Sequence, residues 1–204
     1  MHFIPYAVWM VLMMALPSTA PSYAIRSAAT LVALGAVFAL WKRPREWFPG
    51  AVAWSWGILA GVVVWALWVA PENFEFYRRW FILGSLDTSA PSPYDPAVCG
   101  WPLMLARLAG SAFVIPAAEE LFFRSWLYDW IRGDSKKEID WNAFLWCTAL
   151  FAVEHNRILA GAMAGAVYGM LALRKGLGAA IIAHSVTNLI LGLQVVATKS
   201  WAFW

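Results

Sequence analysis

Residues 51–70, AVAWSWGILAGVVVWALWVA, form an uncharged apolar run, and twenty positions at about 1.5 Å of helical rise each cover the roughly 30 Å of hydrocarbon in a bilayer. In that solvent every backbone N–H and C=O has to be satisfied inside the segment, so the run has to be a helix. The pattern repeats along the chain. Residues 23–41 make a second candidate span, and 3–16 a shorter first one that Pro17 ends. This first segment shares an apolar core and trailing small residues with signal peptides but lacks their basic start, and is read as a helix. Segments 103–131, 141–154, 158–173 and 177–197 complete the set. With 62% hydrophobic and 13% charged residues among 204, the chain reads as an all-α, polytopic membrane protein of about seven (six to eight) transmembrane helices.

Basic residues set the expected orientation. Lys42, Arg43 and Arg45, then Arg132, Lys136 and Lys137, then Arg174 and Lys175, fall on one side under seven alternating crossings. The positive-inside rule makes that side cytoplasmic, with the amino terminus inside. Arg78 and Arg79 count against it; they lie in the connection 71–100, where FEFYRRWFIL reads as an interfacial helix before a polar, proline-rich stretch. For a bacterial source the site would be the cytoplasmic, inner membrane. The net charge of +3 suits anionic headgroups, so membrane lipids are expected partners; no basic patch points to nucleic acid, which is excluded. Cys99 and Cys147 make neither a disulfide framework nor a thiolate metal site. Fifteen tryptophans fit interfacial anchoring.

Against this apolar background a few polar residues stand out, because a charge near the bilayer centre costs about 2.5 kcal/mol or more and marks an interior face or a function. Glu119, Glu120 and Arg124 lie on one expected helix, His155 closes a second after Phe151, and His184 with Asn188 sits in a third. Glu120 and Arg124, four apart, can pair across one helical turn. Glu119 is rotated from that face by about 100° and becomes the unpaired carboxylate, which suits a general base acting on water; a structural lock of both glutamates on Arg124 is the alternative. Phe151 and His155, four apart, place a ring beside an imidazole that acts as ligand or acid, or merely caps a helix at the surface. His184 and Asn188 offer donors to an oxyanion, a metal ligand, or hydrogen bonds between helices. Gly161, Gly165 and Gly169 form a small-residue ridge, repeated at Gly57 and Gly61, that lets helices approach closely.

In order and spacing, EELFFR, FAVEH and HSVTN resemble the EExxxR, FxxxH and HxxxN motifs of the CAAX prenyl protease and bacteriocin-processing family, also called Abi or CPBP, with its type II CAAX endopeptidases. The resemblance covers about residues 102–193. It divides one membrane-embedded unit into N-terminal helices with an outer loop (1–100) and a catalytic helical core (101–204). It implies an intramembrane endopeptidase whose polar cavity lies between helices and opens to the cytoplasmic side. Its substrate would be a membrane-bound or lipidated peptide or protein, cut near the carboxyl terminus. By resemblance Glu119 activates the water with help from His155, His184 and Asn188 stabilise the oxyanion, and Glu120, Arg124 and Phe151 support them. A zinc ion on Glu119, His155 and His184, or no metal at all, both remain open, since the chain has no HExxH. Ser185 follows His184 in sequence but is turned from it by about 100° on a helix, neither cysteine has a base beside it, and GxSxG is absent. Two other functions fit the same residues: a non-catalytic immunity or scaffold protein that keeps the polar core for packing, and a proton or ion pathway.

Overall fold

A computed structural model of the chain describes residues 1–40, 50–82 and 92–204. Helices account for the described residues almost throughout: α1 (Ile4–Ala15), α2 (Ala20–Leu40), α3 (Ala51–Val69), α4 (Glu75–Phe81), the single turn α5 (Pro96–Cys99), α6 (Trp101–Arg132), α7 (Trp141–Val153), α8 (Ile158–Lys175) and α9 (Leu177–Thr198). All seven apolar helices stand where the sequence places them. Five of them, α2, α3, α6, α8 and α9, are long and apolar enough to cross a membrane. Helices α1 and α7 are shorter, 12 and 13 residues. At about 1.5 Å per residue each rises roughly 18–20 Å, less than a full hydrocarbon thickness. The expected interfacial segment contributes the seven-residue α4. Lys42, Arg43 and Arg45, and the start of the proline-rich stretch, lie outside the described residues.

The burial pattern is that of a protein solvated by lipid. Val32, Val52 and Leu145 turn outward with 62–73% of their surface exposed, while Thr30, Glu120, Thr187 and His184 are buried. Among such helices apolar burial gives little driving force, so close backbone approach and hydrogen bonds hold them together. The glycine ridge of α8 packs on α7: a Cβ at Gly161 would meet Ala152 Cα at 3.1 Å, one at Gly165 Phe151 Cδ1 at 3.2 Å and one at Gly169 Phe144 Cε2 at 3.0 Å. Gly57 and Gly61 do the same for α3 against α9, where added Cβ atoms would meet Ile182 Cγ2 at 2.8 Å and the Ala183 carbonyl at 2.6 Å. Thr187 then bridges the pair by donating to the Gly61 carbonyl at 2.9 Å.

Tight connections fix how the helices meet. Asp140 caps α7 by accepting the Ala143 N–H at 3.0 Å, and its own N–H donates to the Tyr128 hydroxyl on α6 at 2.9 Å. Gly176 joins α8 to α9 at φ +93, a left-handed conformation that a side chain would strain. Behind α3, Arg157 pairs with Glu72, donates to the Ala202 carbonyl at 3.1 Å and stacks over Phe203 at 4.3 Å. The chain end is thereby drawn against the helix bundle.

Candidate active site

Helix α6 carries the two glutamates and is irregular on both sides of them. Pro116 has no N–H to give, and the turn before it, Gly110–Val114, is wound as π-helix; a second π stretch covers Leu121–Leu127. In the first stretch the Ile115 N–H donates to the Gly110 carbonyl, five residues back, and not to that of Ser111. The Ser111 carbonyl is released from the helical ladder. Asn188 of α9 donates to it through Nδ2 at 2.9 Å. A proline on one helix thus creates the acceptor that orients an amide on another, and the second Nδ2 hydrogen remains to donate elsewhere.

One turn further, the adjacent carboxylates part company. Glu120, fully buried, takes the Arg124 guanidinium at 3.2 Å on Oε2 and His184 Nδ1 at 3.0 Å on Oε1. Arg124 in turn donates to the Gly165 carbonyl of α8 at 3.2 Å and lies over the Phe151 ring at 4.3 Å. This network ties α6 to α7, α8 and α9, and it accounts for Glu120 and Arg124 as supports. Glu119 points elsewhere: its Oε2 is buried without a hydrogen-bond partner, 3.8 Å from His184 Nε2.

Hydrogen bonds assign the histidine tautomers. A carbonyl only accepts, so the 2.8 Å contact between His155 Nδ1 and the Phe151 oxygen places the proton on Nδ1 and leaves Nε2 with a lone pair. By the same reasoning His184 donates from Nδ1 to the Arg124-paired carboxylate of Glu120. Helix α7 stops at Val153, so His155 sits just beyond its end, its N–H bonded to the Ala152 carbonyl at 3.1 Å. The Phe151 ring sits 4.7 Å from His155 and 5.7 Å from His184.

Glu119, Phe151, His155, His184 and Asn188 all line one cavity of about 220 Å³ between the helices. The sequence motifs therefore converge. Three neighbours were not singled out in the sequence. Tyr168 of α8 stacks on His184 at 4.7 Å and 18°, and its hydroxyl donates to Thr187 at 2.7 Å; Trp68 of α3 sets its ring edge against His155 at 5.3 Å. The signal for Tyr168 is its lone aromatic hydroxyl inside the glycine ridge GAMAGAVYG. Trp68 has none, being one of fifteen tryptophans.

A metal was tested on the donors. Both imidazoles are held through Nδ1, which frees Nε2, but among the described residues no three His, Cys, Asp or Glu side chains group closely enough to hold one ion. Glu119, His155 and His184 as they stand do not fit zinc, and no step below is routed through it.

Residues 101–190 match the model of one protein family, described as Type II CAAX prenyl endopeptidase Rce1-like. The match falls on the segment that carries all three motifs, and on the family that those motifs resemble. No curated protein and no solved structure gives a match.

Proposed function

With the prenyl endopeptidase family matched over the segment that builds the cavity, we propose that the chain is an intramembrane endopeptidase that cuts a membrane-associated substrate near its carboxyl terminus. One observation carries the reading: a buried carboxylate oxygen of Glu119 faces the cavity with no hydrogen-bond partner, beside His184 Nε2. A buried carboxylate oxygen without a hydrogen bond is costly for packing alone, and it is what a water needs as a base.

The residues then divide the reaction. Glu119 takes a proton from water, and the bare Nε2 of His155 accepts the water's second hydrogen and holds it in place. The hydroxide attacks the carbonyl carbon. Charge on the oxygen is met by the free Nδ2 hydrogen of Asn188 and by His184 donating from Nε2; that donation requires the imidazolium form, whose charge Glu120 balances through Nδ1. A donor of this kind is worth about 2.7–4 kcal/mol in the transition state. The carbonyl re-forms, the C–N bond breaks, and Glu119 returns its proton to the departing nitrogen. No metal enters this scheme. The protein spans the membrane several times, and with α1 and α7 as short crossings the basic residues at 132–137 and 174–175 share one side, from which we place its amino terminus on the cytoplasmic side.

The bonds from Arg124 to Gly165 and from His184 to Glu120 also favour a second reading, a non-catalytic membrane binder that keeps the core for packing. Cleavage of a lipid-anchored peptide in proteoliposomes by wild type, Glu119→Gln and His184→Ala separates the two. Hydrolysis predicts loss of product with the fold intact. A binder predicts no product from wild type, and a function that fails only as the thermal midpoint falls.

A further inference from the structure

Arg107, Ser111, Ile115 and Glu119 follow one another at four-residue steps along α6, and all four line the cavity. Glu119 holds one end of this stripe. Arg107 holds the other, twelve residues and roughly 18 Å away. Its guanidinium carbon lies 4.1 Å from the ring centre of Tyr23, 4.6 Å from Tyr94 and 5.5 Å from Trp204. Rings cover the faces of a planar cation and leave its N–H edges open. Its Nε is buried with no hydrogen-bond partner, and among the described residues no carboxylate pairs with Arg107. Arg26, the neighbouring buried cation, stacks against Trp9 and Tyr23 and does not line the cavity, so it adds positive potential without touching an occupant. A fixed, uncompensated cation at a cavity end in the bilayer is costly until an anion joins it.

We propose that Arg107 binds the terminal carboxylate of the substrate and so sets how far from the carboxyl end the chain is cut. This rests on the hydrolase reading above. The reacting carbonyl lies between the level of Ser111, which Asn188 touches, and that of Glu119. Arg107 is then four to twelve residues of helix distant, roughly 6–18 Å. At about 3.5 Å per extended residue that distance is covered by about two to five residues. A carboxylate at that separation is the chain terminus when the released piece is a short peptide of that length. Between the two ends Ile115, Leu191 and Phe203 offer apolar walls for its side chains.

The test uses two lipid-anchored peptides of one sequence ending in three apolar residues, one with a free acid and one with a C-terminal amide, and the full chain in phosphatidylcholine proteoliposomes. Charge-assisted hydrogen bonds predict that wild type prefers the acid by about 10–100-fold in kcat/KM. Arg107→Gln collapses that ratio toward one, and Arg107→Lys restores part of it. A structural role for Arg107 lowers both peptides in parallel and keeps the ratio, which overturns the inference. So does a wild type indifferent to the terminus. A ratio that appears only with phosphatidylglycerol present assigns Arg107 to a lipid phosphate, and also overturns it. Calorimetric binding of the apolar tripeptide acid, against its amide, needs no turnover. Acid-selective binding lost in Arg107→Gln, without cleavage by wild type, leaves Arg107 as an anion site and sinks the hydrolase reading; binding blind to the terminus sinks the inference alone.

Discussion

Glu119 and Glu120 are adjacent and chemically identical, yet Glu120 accepts a hydrogen bond from His184 on one oxygen and is ion-paired with Arg124 at 3.2 Å on the other, whereas Glu119 presents an oxygen without a hydrogen bond to the cavity. Opposite consequences are expected on removing them. Glu119→Gln should abolish turnover and leave the thermal midpoint in detergent unchanged or raised, since the amide keeps the shape and removes a carboxylate whose buried oxygen has no hydrogen bond. Glu120→Ala leaves Arg124 buried without its partner and should cost about 3–5 kcal/mol of stability by chemical denaturation, with activity falling as the folded fraction does. Asn188→Ala should lower kcat about 10²–10³-fold with the fold intact, measured by turnover at saturating peptide. The split between the glutamates was legible in the sequence, because a helix sends neighbours about 100° apart and a residue four along back to the same face. The Ser111 carbonyl that orients Asn188 was not, because a backbone acceptor is freed by a change of helical register that side-chain spacing does not encode.

At the scale of elements, seven apolar helices could be read from run length and from Pro17, but their fitness to span could not, since 12 and 13 residues of apolar sequence look like longer ones with frayed ends. The small-residue ridges were legible as packing signals, although not which helix each would meet. Gly61→Val tests one meeting: with the Ala183 carbonyl 2.6 Å from its Cβ position, α3 and α9 must separate, and the thermal midpoint should fall well below that of Gly35→Val, whose Cβ meets nothing within 4 Å. The cap of α7 gives a pH signature. The Ala143 N–H first, then the Ser135 side chain, hold the Asp140 carboxyl below the usual carboxylate range. Since the folded value is the lower one, this stabilisation is present above the unfolded value of about 4 and is lost as pH falls through the folded value. Asp140→Asn should therefore flatten the acid limb of unfolding midpoint against pH without touching the limb above pH 5.

For the whole molecule, composition sufficed to say that lipid is the solvent and that the buried polar residues would be the informative ones. Glu119, His155, His184 and Asn188, drawn from three separate sequence motifs, did converge on one cavity. What composition could not supply is the far end of that cavity: Arg107 reads in sequence as one more basic residue near a helix start, and only the fold surrounds it with Tyr23, Tyr94 and Trp204 from distant segments. A metal-free scheme predicts that o-phenanthroline leaves the rate of peptide cleavage unchanged, and that elemental analysis of active protein finds no stoichiometric zinc. The most direct measurement compares wild type with Glu119→Gln on one lipid-anchored peptide in proteoliposomes, following product by mass and the thermal midpoint of the same samples. The account predicts a single cut near the carboxyl terminus by wild type, and none by Glu119→Gln at an equal or higher midpoint. Product from Glu119→Gln at the wild-type rate would contradict it.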